Sequence, residues 1–120
     1  MKKYHLRVYD NFHYGDDSEA YDYGQFEGYE LALNAAKKIV EESLRHEYKR
    51  GMSEQDLIVA YLFYGEDPII VPSEPDKERF SAHDYAHEIA GNICSELEAR
   101  MGKRKEENKS TISNRNIVRY

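Results

Sequence analysis

The spacing of apolar and polar residues divides the chain into segments of different period. The most apolar stretch, Leu57 to Tyr64, is eight residues long and holds no charge and no helix breaker. Gly65-Glu66-Asp67-Pro68 follows, then Ile69-Ile70-Val71 and Pro72. Side chains that are β-branched or aromatic, and apolar at odd and even positions alike, fit a strand buried on both faces. Gly65–Pro68 has turn composition. The two runs therefore predict a hairpin at the centre of a sheet, with the octapeptide enclosed between layers.

Tyr4 to Tyr9 alternates instead. Tyr4, Leu6 and Val8 point one way, and His5, Arg7 and Tyr9 the other, as in a strand with one covered face. Ala20 to Phe26 reads as a second, weaker strand, reached through the turn-forming Gly15-Asp16-Asp17-Ser18.

Helical spacing appears over Glu27 to Arg50, where Leu33, Ala36, Val40 and Leu44 form a stripe widened by Tyr29, Ala32 and Ile39. Glu27 and Glu30 near its start, Lys49 and Arg50 near its end, and Gly51 beyond suit the helix dipole and a C-terminal stop. Ser53 to Asp56 reads as one short turn before the central strand. A second helix begins at Ser81, with Asp84 in the place of the usual capping-box Glu. Tyr85, Ile89, Ile93, Leu97 and Met101 recur four apart along it, and Gly102 predicts its end. Gly91, inside this helix, implies close packing at a cost of about 1 kcal/mol in helix propensity. The predicted fold is α+β and two-layered. A four-stranded, mostly antiparallel sheet carries two helices on one face in the order ββαββα.

A chain of 120 residues forms one domain. Residues 1–102 are expected to make that domain, and residues 103–120 a basic, polar C-terminal tail. The charges are divided accordingly: residues 1–102 hold 21 acidic and 11 basic side chains, and residues 103–120 hold 2 and 6. The acidic body repels phosphate, which disfavours nucleic acid everywhere except along the tail. A single cysteine, Cys94, forbids an intrachain disulfide and fits a reducing, cytoplasmic setting. No stretch has the roughly 18 apolar residues of a membrane helix, and the basic start at Lys2-Lys3 lacks the apolar run of a signal peptide.

Four short stretches carry a resemblance. Tyr9-Asp10-Asn11-Phe12-His13-Tyr14 followed by acids, Gly51-Met52-Ser53, Phe63-Tyr64-Gly65-Glu66-Asp67-Pro68-Ile69, and Phe80-Ser81-Ala82-His83-Asp84-Tyr85-Ala86 resemble a family of small bacterial proteins to which no activity is assigned. The likeness spans residues 4–95 and departs from the family pattern at His83, where an aromatic is usual. It implies a bacterial, cytosolic origin and no chemistry.

The candidate site is a contact surface. Between Arg7 and Lys37 the chain holds seven acids and no Lys or Arg. Asp10, Phe12, His13, Tyr14, Asp16, Asp17 and Glu19 combine aromatic area with carboxylates that select a basic partner. Glu66 and Asp67 add to the same field if their turn lies at the same end of the sheet. The expected partner is a protein with a basic patch, or a second copy of the chain. No cofactor is called for, because the chain has no phosphate-binding loop, dinucleotide fingerprint or nucleophile-elbow serine.

Two other classes compete. An acidic decoy for a nucleic-acid-binding protein requires carboxylates spaced like phosphates over a whole face. A metal-dependent hydrolase requires His83 and His87, four apart on a helix, to meet a third ligand such as His13 or His5. The HExxH order is absent. Cys94, next to Ile93 on the helix and far from cations, reads as an inert thiol.

Overall fold

In the computed structural model, which describes residues 3–13, 20–72 and 79–112 and side chains as far as Met101, the central strand is the first one. β1 (Lys3–Asp10) pairs antiparallel with β2 (Tyr21–Glu27) on one side and with β3 (Glu66–Val71) on the other. Leu6 lies opposite Gly24 and Ile70, and the β1–β2 register shifts between Leu6 and Arg7. The helices are α1 (Tyr29–Glu47), α2 (Glu54–Tyr64) and α3 (Ala82–Ile112), and a single 3-10 turn, Asn11–His13, follows β1. The architecture is α+β, with three antiparallel strands and three helices among the described residues.

The octapeptide Leu57–Tyr64 is the main correction, because it is coiled into α2. A run apolar at every position fits period 2 and period 3.6 equally. The deciding signal lies just before it. The Ser53 hydroxyl accepts the Asp56 amide at 3.0 Å, and the Asp56 carboxylate accepts the Ser53 amide at 3.2 Å. This reciprocal capping box satisfies two amides that a helix start leaves open, and such a cap is worth about 1 kcal/mol. The residues expected to form a turn before a strand therefore open a helix. Only one side of that helix is covered: Leu57, Ile58 and Tyr61 are buried, while Val59, Leu62 and Phe63 are exposed. The predicted fourth strand and the ββαββα order fall with it.

Gly65–Pro68 is accordingly no hairpin turn. Gly65 ends α2, and Glu66, Asp67 and Pro68 already belong to β3. Pro68 is tolerated because β3 is an edge strand, where a missing N–H need not break the ladder.

Helix α1 serves two cores. Its Ala32, Ala36 and Ile39 cover Tyr4, Leu6, Val8 and Ile70 on the sheet. Its Val40 and Leu44, with Tyr48 just past its end, pack with Leu57, Ile58 and Tyr61 of α2 and with Ala82, Ala86, Ala90 and Ile93 of α3. The second predicted helix thus joins a helical cluster more than it covers the sheet.

Ser81 caps α3 as expected, accepting the Asp84 amide at 3.2 Å. A Cβ at Gly91 would lie 3.1 Å from the Glu54 carboxylate, the end of an exposed, flexible side chain that can move aside, so α2 approaches here without strictly demanding glycine. Gly102 does not end the helix, whose backbone continues to Ile112. Polar ties set α3 against α1: Arg45 makes two bonds to Glu96, at 2.9 and 3.0 Å, and the Tyr85 hydroxyl donates to Glu41 at 2.7 Å. No helix among the described residues is long and apolar enough to cross a membrane.

Candidate interaction surface

The end of β1 and the end of α2 are brought together by backbone pairing. Asp10 is the ladder partner of Glu66. One residue later, the Asn11 amide N–H donates to the Gly65 carbonyl at 2.9 Å, and its side-chain Nδ2 donates to the Tyr61 carbonyl, also at 2.9 Å. These bonds pin the 3-10 turn to the last turn of α2. Phe12 then stacks on Tyr64, with centroids 5.5 Å apart and planes inclined by 22°, and Phe63 lies 6.2 Å from Tyr64. Phe12, Phe63 and Tyr64 are 61, 60 and 58% exposed. Val59 and Leu62 carry the apolar surface back along α2. Contiguous exposed aromatics of this kind mark contact sites, whereas single exposed apolar residues do not.

Tyr64 also borders a cavity of about 440 Å³ lined by Asp10, Tyr21, Glu42, His46, Glu47 and Glu66. The Tyr21 hydroxyl donates to Glu66 Oε2 at 3.0 Å. Partial burial, and next the bond to Glu66, push that phenol up to about 12, so it stays a donor at neutral pH. Four carboxylates from β1, α1 and β3 surround the space. Their field favours a cationic group, and the Tyr64 ring offers such a group a face. Among the described residues no three or more His, Cys, Asp or Glu side chains converge as a metal site requires.

The predicted site residues are distributed as follows. Asp10, Phe12, His13 and Glu66 meet at this end of the sheet. Asp10 is held locally, accepting the Phe12 amide at 2.9 Å and lying 3.0 Å from His13 Nδ1. Tyr14, Asp16, Asp17 and Glu19 lie outside the described residues. Asp67 is turned away from the cavity, with Oδ2 4.0 Å from His83 Nε2. His83 Nε2 is buried there without a hydrogen-bond partner among the described residues, while His87 is exposed. Burial pushes the Cys94 thiol up, with Glu54, Asp56 and Glu98 adding to the effect.

Burial also raises the Asp67 carboxyl, against a smaller opposing pull from His83. A carboxyl raised in the folded state binds its proton more tightly there than in the unfolded chain. Asp67 therefore costs stability progressively as pH climbs from the ordinary carboxylate value through its folded one. Asp67→Asn is expected to raise the melting temperature relative to the parent, and by more at neutral than at acid pH. Melting curves across that range check this; a variant less stable than the parent at neutral pH contradicts it.

Sequence reasoning missed Val59, Leu62, Phe63 and Tyr64, because a doubly buried strand hides them. The Ser53–Asp56 box could have revealed them. It also missed Glu42, His46 and Glu47, which form the polar side of α1 and reach the site only through tertiary packing. No family model matches the chain, and no curated protein or solved structure does so either.

Proposed function

We propose that this chain is a protein-binding module whose contact surface is the outer side of α2, together with Phe12 and the neighbouring carboxylates. One observation carries the reading. A helix apolar all round belongs in an interior, yet among the described residues α2 is covered by α1 and α3 on one side and touched by the 3-10 turn only at its end, and Val59, Leu62, Phe63 and Tyr64 stay exposed. A partner laid on that side completes the burial. The acid-lined cavity at its edge supplies register and selectivity for a basic segment, as charges at the rim of an interface do.

Phe63→Glu tests the reading. The side chain is largely exposed, so its replacement changes stability by only about 0.5 kcal/mol, a loss that urea denaturation can verify. Affinity capture from the native host, quantified by mass spectrometry, is expected to lose the bound partner about tenfold or more with the variant as bait. Equal capture by a folded variant removes α2 from the proposal.

A further inference from the structure

The geometry points to the occupant of this surface: residues 113–120 of a second copy of the chain, bound in trans. The inference rests on the contact reading above and names its partner. The acidic body holds the cavity formed by Asp10, Glu42, Glu47 and Glu66, beside the Phe12–Tyr64 stack. The segment that follows α3 sets Arg115 and Arg119 among Ile117, Val118 and Tyr120. Guanidinium groups suit a carboxylate-lined space with a tyrosine wall, and the apolar side chains suit the Phe63 face.

A chain cannot lay this segment over its own aromatic face. α2 runs antiparallel to α3, because the Tyr61 and His83 rings are 6.0 Å apart while Glu54 lies against Gly91. The aromatic cluster therefore sits at the N-terminal end of α3, while the cavity extends along α1 toward Arg45, whose partner Glu96 lies about halfway down α3. With 31 residues, α3 carries Ile112 about 45 Å from that end. From Ile112 the chain to Arg119 reaches at most about 25 Å. Ile117, Val118 and Tyr120 fall short of the Phe63 face on their own chain, so a segment that covers this face as well as the cavity does so on another copy. Because face and segment are different surfaces, the contact is heterologous. Each copy then contributes one face and one segment, so copies add head to tail or close into a ring.

Sedimentation of the full chain over a range of concentrations tests this, using Phe63→Glu (face variant) and Arg115→Glu with Arg119→Glu (segment variant). The parent is expected to gain mass with concentration, less so at high salt. Each variant alone is expected to associate about tenfold or more weakly. Mixed together, they form a one-to-one dimer that grows no further, because one supplies the segment and the other the face. A parent that stays monomeric overturns the assignment, as does association unaffected by the segment variant. If the face variant still abolishes that association or host-partner capture, α2 remains the contact surface and only the occupant is wrong. If a folded face variant associates and captures like the parent, the contact reading itself fails.

Discussion

Tyr61→Ala is expected to remove about 4 kcal/mol of stability, a large share of the roughly 5–15 kcal/mol that holds a domain of this size. Tyr61 is the largest of the fully buried side chains and sits where α1, α2 and α3 meet. Its ring meets His83 edge to face, at 6.0 Å. Its hydroxyl donates to the Glu66 carbonyl at 2.5 Å, joining the last turn of α2 to the first residue of β3. Burial, with Asp67 and Glu66 nearby, pushes the phenol well above its ordinary range, so it stays a donor at neutral pH. Alanine would leave a cavity and an orphaned carbonyl. Tyr61→Phe separates the two effects, since it keeps the ring and loses only the hydroxyl, at about 1 kcal/mol. Urea denaturation of both variants checks the pair; a Tyr61→Ala protein as stable as Tyr61→Phe would show that the ring contributes little.

Gly65→Ala is expected to cost about 3 kcal/mol, by collision. The backbone at Gly65 has φ −78°, which any residue adopts, so conformational freedom is not the reason for glycine. The reason is space. A Cβ there would lie 2.2 Å from Tyr61 Cδ1 and 2.7 Å from the Tyr61 carbonyl oxygen. The ring is locked in the core and cannot swing aside cheaply. The two positions should therefore couple: in a Tyr61→Ala background the ring collision vanishes, and Gly65→Ala should cost about 1 kcal/mol or more less than in the parent. A denaturation-based double-mutant cycle reads this directly, and strict additivity would show that the ring is not what excludes a methyl group.

What could be read from the sequence was whatever a local rule decides. β1 followed from its alternation, α1 from its stripe and flanking charges, and the start of α3 from Ser81 and Asp84. Leu57–Tyr64 could not be read from its own residues, because eight apolar neighbours look alike at both periods. Its state was decided by Ser53 and Asp56 outside the run. That single misreading also hid the surface, since residues placed inside a sheet cannot be proposed as exposed. Asp10, Phe12 and Glu66 are adjacent through β1–β3 pairing, a contact across more than fifty residues that no local pattern encodes. Glu42, His46 and Glu47 join them only because α1 bridges both cores.

The position of β1 between β2 and β3 has a consequence for synthesis. Leaving the ribosome, β1 finds β2 within its first thirty residues, but its other edge waits for β3, which lies beyond α1 and α2. Until residue 71 clears the exit tunnel, the nascent hairpin presents a row of open amides and carbonyls that any passing strand can zip onto. α1 emerges in that interval and can shield the apolar side of the hairpin, though not its open rim. The β1–β3 pairing is non-local, so it is expected to form more slowly than the neighbouring β1–β2 hairpin.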